Sequence, residues 1–128
     1  MDVIAERTLE FLDPSASEAR KIRVALGRPV RVVLGDTEQG KSAPPVPVGP
    51  GEPVPGAACW GAPYGIYDPT SPPREQWACG EDSMQALMLA IQILPTLLEA
   101  LFLRRGTLTC DGGPWNEGFG AILQPSTP

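Results

Sequence analysis

Residues 80–106, GEDSMQALMLAIQILPTLLEALFLRRG, constrain this chain more than any other stretch. They carry a helix start, a helix stop and very little polar surface between. Asp82 with Gln85 three residues later reads as a capping box, in which side chains satisfy the free amides of the first turn. Glu81 and Asp82 place negative charge at the positive end of the helix dipole. Arg104 and Arg105 fall in the last turn, where cations are favoured, and Gly106 is expected to take the left-handed conformation that ends many helices. At 100° per residue, Gln85, Gln92, Thr96 and Glu99 fall in an arc of about 60°. Every other residue from Met84 to Leu103 is apolar, alanine or Pro95, so this helix is expected to be covered on most sides. Burying its large apolar side chains is worth roughly 15–30 kcal/mol gross. Pro95 costs ~3 kcal/mol, so the expectation is one helix, kinked near Ile91, rather than two. The length suits a membrane span, but Glu99 inside it is expensive in lipid. The reading is a core helix on a sheet, with no membrane partner.

The flanking sequence supplies that sheet. Residues 3–12 alternate, with Ala5, Arg7, Leu9 and Phe11 on one side and Ile4, Glu6, Thr8 and Glu10 on the other. Residues 20–26 alternate again after the turn Asp13-Pro14-Ser15, which makes an antiparallel hairpin. Val30–Leu34 reads as a short strand. Six prolines and four glycines between Gly40 and Gly56 argue against a helix or central strand there. Residues 35–56 are therefore expected to form a long exposed loop. Residues 57–67 read as a strand broken near Pro63, residues 74–79 as a strand leading into the helix, and Thr107–Cys110 and Phe119–Leu123 as short closing strands. Residues 1–128 suit one domain. The expected fold class is α+β: an antiparallel sheet of about four to five strands, with one long helix from the C-terminal half packed across a face.

Composition removes several kinds of chemistry. The chain has no histidine, which excludes Ser-His-Asp and Cys-His catalysis in their usual form and most zinc sites. Cys59, Cys79 and Cys110 are odd in number and lack C-x-x-C spacing, so no metal, cofactor or disulfide framework is expected. The net charge of −5 argues against nucleic acid as a partner. The opening MDVIAERT shows neither a basic nor an apolar leader region, and the expected location is cytoplasmic.

One motif points to chemistry. Residues 35–42, GDTEQGKS, match the phosphate-binding pattern G-x-x-x-x-G-K-[ST] after a plausible strand. On that alternative, amides of the loop from Gly35 to Gly40 would cradle phosphates, Lys41 would reach the β- and γ-oxygens, and Ser42 would hold Mg²⁺. The pattern works because a helix begins at its end and aims amides at the phosphate. Here Ala43, Pro44, Pro45 and Pro47 follow within five residues, and such a run cannot continue as a helix. Two other groupings are candidate binding residues. Trp60, Tyr64 and Trp77 concentrate aromatics on neighbouring expected strands, either as a small-molecule cleft or as cross-strand packing. Glu6 and Arg7 on the first strand, with Asp82, Ser83 and Gln85 at the helix start, form either a polar site or a cap with an Arg7–Asp82 ion pair.

Ile4-Ala5-Glu6-Arg7 near the start, Gly80-x-Asp82-Ser83-x-Gln85-Ala86-Leu87 at the helix and Gly118-Phe119 near the end resemble a small bacterial family. That family carries a domain-of-unknown-function label. The aromatic strand around Cys59–Tyr67 is similar to one that its members carry. Residues 35–56 depart from the family pattern, and the phosphate-loop match falls inside this departure. The resemblance implies no activity. The expected function is non-catalytic binding of another protein, one version being an immunity-like inhibitor of a basic partner, with a homodimer as another way to cover the helix. Nucleotide binding at 35–42 and small-molecule binding on the aromatic face are the alternatives.

Overall fold

The computed structural model describes residues 1–36, 42–49, 51, 53 and 58–116. Eight strands form one sheet: β1 (Val3–Leu12), β2 (Arg20–Gly27), β3 (Val30–Asp36), β4 (Ser42–Pro47), β5 (Ala58–Tyr67), β6 (Arg74–Gly80), β7 (Thr107–Cys110) and β8 (Gly113–Pro114). All pairings are antiparallel. The one α-helix among the described residues, α1 (Ser83–Leu98), lies over β5 and β6 and continues as a π-helical turn, Glu99–Leu103. The expected α+β class with an antiparallel sheet holds. The expected count of four to five strands does not.

The extra strands have physical origins. β2 and β3 lie end to end along one edge of β5: Arg23–Leu26 pair with Tyr67–Tyr64, and Val30–Val33 pair with Gly61–Ala58. One more residue separates the two ladders on the β2–β3 side than on β5, which is a bulge. Ala62 and Pro63 sit opposite that bulge. The missing amide of Pro63 therefore deprives neither ladder of a bond, and β5 runs unbroken where the sequence suggested a break. β6 holds the other edge of β5. The proline-rich segment also yields a strand. β4 pairs with β3 at the margin of the sheet, where one edge needs no partner and proline is tolerated. The expectation of a loop throughout 35–56 is thus corrected at 42–47. The expected strand at Phe119–Leu123 lies outside the described residues.

Helix α1 departs from expectation in two respects. Its α-helical part spans 16 residues and is shorter than expected, because the last turn opens into the π-helix. It passes through Pro95 as one helix. Gly106 takes no left-handed conformation, since positive φ among glycines is confined to Gly51 and Gly112 among the described residues. Its role is close approach: a Cβ there would stand 2.2 Å from the Leu12 carbonyl oxygen and 2.8 Å from the Phe11 ring.

The core lies between α1 and one sheet face. Leu9 and Phe11 of β1, Ile22 and Val24 of β2, Tyr64 and Ile66 of β5 and Leu108 of β7 meet Ala86, Ala90, Leu94, Leu98 and Phe102. Phe11 and Phe102 stack in a tilted pair 5.1 Å apart. At this end Asp68, 8 % exposed, accepts a bidentate pair from Arg20 at 2.9 and 3.0 Å. Asp68 also takes bonds from the amide and hydroxyl of Thr70, which ties the β5–β6 turn to β2. By length and composition residues Ser83–Leu103 are apolar enough to cross a membrane. Here Ala86 and Ala90 bring one side of the helix against the sheet, where small side chains permit a close approach.

Candidate binding groove

Because α1 follows β5 and β6, it leaves uncovered the N-terminal half of β1 and the facing end of β2. Ala5 and Arg7 of β1, paired with Leu26 and Val24 of β2, floor a groove of about 200 Å³ whose far wall is Ile91 and Leu94 of α1. Its lining is chiefly apolar, with the Arg7 side chain at one end. Arg7 Nη1 donates to the Trp115 carbonyl oxygen at 3.3 Å. One and two turns before Ile91 the helix shows Met88, 37 % exposed, and Met84, 71 % exposed. Val3 and Ile4 are exposed on the neighbouring strand. On the helical wheel Met84, Leu87, Met88 and Ile91 span about 100° of arc. This flank is therefore not the one that Ala86 and Ala90 press on the sheet. The expectation of cover on most sides fails here, on one continuous flank.

The residues singled out in the sequence are dispersed. Asp82 and Gln85 form the cap: the Gln85 amide donates to Asp82 Oδ1 at 2.7 Å, and the Glu81 amide donates to Gln85 Oε1 at 2.6 Å. The return bond thus comes from Glu81, one residue before the N-cap. Ser83 is the first helical residue. Arg7 and Glu6 both border the groove, and Glu6 also accepts from Arg23 Nη1 at 2.7 Å on an exposed surface, where such pairs contribute little.

Trp60, Tyr64 and Trp77 do not form one aromatic platform. Trp60 and Tyr64 are on the helix side of β5. Arg31 stacks on Trp60 at 5.3 Å, and the Tyr64 hydroxyl donates to Gln76 Oε1 at 2.9 Å, with burial pushing its phenol pKa up. Trp77 crosses the opposite face over Gly61, where a Cβ would meet its ring at 2.8 Å. Of the phosphate-loop residues, Gly40 and Lys41 lie outside the described residues. Gly35 pairs with Ala43, and Ser42 opens β4 opposite Asp36. The motif therefore joins two antiparallel strands, and no helix begins at Ser42 to direct amides at a phosphate.

The sequence missed Met84, Met88, Leu26, Ile91 and Ala5 as surface residues because all read as core. The available signal was Ala86 and Ala90, four apart. Small residues mark the line of closest approach, and the apolar residues on the far side from that line, Met84 and Met88 roughly 140–180° away, are then candidates for exposure.

No curated protein and no solved structure matches the chain. A model of a domain of unknown function matches residues 33–121, a span that includes residues 35–56 and the helix start at 80–87, whereas residues 4–7 precede it. The chain belongs to this family, DUF6968.

Proposed function

We propose that this chain is a non-catalytic protein-binding domain that receives an apolar segment of another protein in the groove between α1 and the β1–β2 hairpin. The supporting observation is the exposed apolar flank of α1, with Met84 71 % and Met88 37 % exposed on the side of the helix whose Ile91 walls the groove. An apolar surface concentrated beside a cleft is costly to leave in water. Methionine suits it to a partner, because its unbranched chain adapts to different shapes. The net charge of −5 favours a basic partner, and an immunity-like inhibitor is the narrower version of the same reading. A second copy of the chain is the competing occupant.

The test is site-specific photocrosslinking in lysate of the source cells. A benzophenone side chain at Met84 should give one crosslinked product, competed away by excess unlabelled chain. The same probe at Glu10, exposed on β1 away from the groove, should give none. Unlabelled Met88→Glu chain should compete at least tenfold less well. Equal labelling from position 10, or equal competition by the variant, refutes the reading. A product of twice the chain's own mass identifies the occupant as a second copy.

A further inference from the structure

The C-terminal end of α1 holds a second cavity, of about 170 Å³, which shares no lining residue with the groove. Three segments meet there. The turn between β5 and β6 brings Asp68, Thr70 and Ser71, the start of β6 brings Arg74, and the π-helical turn with the residues after it brings Phe102 and Arg105. Arg74 pairs with Ile66 across the β5–β6 ladder and so shares the helix-facing side of the sheet with that buried residue. Two guanidinium groups therefore border one cavity, one from the sheet and one from the end of the helix. The helix end that presents Arg105 is π-helical, a rare conformation that concentrates at functional sites.

We propose that this cavity binds a phosphoryl group, free or on a phosphorylated side chain of a partner protein, through Arg74 and Arg105. Three considerations carry this. The first is preorganisation. Arg105 Nε donates to the Leu101 carbonyl oxygen at 3.0 Å, and its guanidinium lies 5.7 Å from the Phe102 ring and 5.8 Å from the Phe11 ring. These contacts fix the group and leave its two terminal nitrogens for a ligand. The second consideration is charge. The Asp68 carboxylate on the wall is committed: Oδ1 accepts from Arg20 Nε and from the amide and hydroxyl of Thr70, and Oδ2 accepts from Arg20 Nη2. Asp13, which acts on Arg105 from outside the lining, accepts from the amide and hydroxyl of Ser15. Among the described residues neither Arg74 nor Arg105 forms an ion pair. The third is shape. A planar carboxylate is satisfied by one bidentate arginine, as Asp68 is by Arg20. Two guanidinium groups on different walls suit instead a tetrahedral group with three acceptor oxygens and a charge of about −1.5 to −2. The exposed Ser71 hydroxyl supplies a further donor. The volume lies below the ~300–1,000 Å³ of pockets that enclose a whole drug-sized ligand, so the cavity takes the phosphoryl group rather than an entire nucleotide.

The experiment uses the full chain with isotope-labelled arginine, in phosphate-free buffer of low ionic strength. The arginine Nε–Hε signals are followed by NMR during titration with inorganic phosphate and, separately, with a phosphoserine peptide. The Arg74 and Arg105 signals should shift saturably, and the unphosphorylated peptide should move neither. Arg74→Gln and Arg105→Gln should each weaken phosphate binding roughly tenfold. Arg104→Gln removes the same charge one residue away and should change affinity by less than about twofold. Tighter binding of the phosphopeptide than of inorganic phosphate assigns the group to a partner's side chain, and the reverse order assigns it to the free ion. The shifts of the unaltered chain read the site even where a variant folds poorly. Shifts that stay linear without saturating, an equal response to chloride, or equal weakening by Arg104→Gln would overturn the assignment.

Discussion

Gly106 offers the sharpest test of the packing, because two physical accounts of the same glycine predict opposite substitution series. In the structure the residue joins the π-helical turn to β7, and its amide donates to the Phe102 carbonyl at 3.1 Å. An added Cβ would lie 2.2 Å from the Leu12 carbonyl oxygen and 2.8 and 2.9 Å from two Phe11 ring carbons. A backbone oxygen cannot rotate away as a side chain does. Relief therefore separates β7 from β1, where Leu12 pairs with Thr107 and Phe11 with Leu108. Forced overpacking typically costs ~1–3 kcal/mol, and the backbone contact places Gly106→Ala at the upper end. The stiffer unfolded chain returns ~0.4–1 kcal/mol. The net expectation is a loss of about 2–2.6 kcal/mol, or roughly 6–13 °C in Tm for a chain of this size. Urea unfolding followed by tryptophan fluorescence measures it. The discriminating variant is Gly106→Asn. A left-handed cap would accept asparagine better than alanine. A steric contact makes asparagine no better than alanine. An asparagine variant within about 0.5 kcal/mol of the original chain would refute the close-packing argument.

Other perturbations follow from named contacts. Asp82→Ala removes the bond to the Gln85 amide, and should lower stability by ~1 kcal/mol; a change below a few tenths in urea midpoint energy would show that solvent caps this helix equally well. Asp68→Asn leaves Arg20 without its carboxylate and should cost about 2 kcal/mol near neutral pH. Burial raises the Asp68 pKa, but the Arg20 and Thr70 hydrogen bonds outweigh it and hold it below the ordinary value of 3.8. The stabilisation is therefore full above that ordinary value and fades as pH falls through the lowered one. A gap between the original and variant chains that is undiminished near pH 2 would contradict this origin. The Cys79 thiol, pushed up to about 11 chiefly by burial, should alkylate at a rate that climbs ~10-fold per pH unit from about pH 7 to about pH 10. A plateau below about pH 9 would exclude the raised value.

The sequence disclosed those elements whose signals are local. The alternation of Leu9 and Phe11, and of Ile22 and Val24, marked β1 and β2 because a half-buried strand repeats every two residues. The Asp82–Gln85 cap marked the start of α1 because capping is decided within one turn. What stayed hidden depends on distant partners. β4 is a strand because β3 offers it an edge, which no composition of prolines reveals. β5 runs through Pro63 only because an extra residue between β2 and β3 falls opposite it. Gly106 was assigned the commonest reason for a glycine after a helix, while its actual reason is Leu12 and Phe11, far away in sequence. The aromatic grouping failed for parity: Trp60 and Trp77 face opposite sides of the sheet. The phosphate-loop pattern lacks the helix that such loops use, because a strand begins at Ser42.

The groove follows from the same distinction between local and distant. A helix with a 60° polar arc must hide nearly all of its circumference, yet one sheet can cover only the side that faces it. Ala86 and Ala90 fix that side by letting α1 settle over β5 and β6. Seating the helix there sets Met84 and Met88 outward and leaves Ala5 and Leu26 open beneath Ile91. Shifting α1 toward β1 would close the groove but would lift Ala86 and Ala90 from β5 and β6, giving up fully buried contacts for half-buried ones. The exposed flank is thus a consequence of the best internal packing rather than a failure of it. Replacing Ala90 with leucine should press the helix outward, lower stability by ~1–3 kcal/mol and weaken crosslinking from position 84. Unaltered crosslinking in a folded, destabilised Ala90→Leu chain would separate the groove from the seating of the helix.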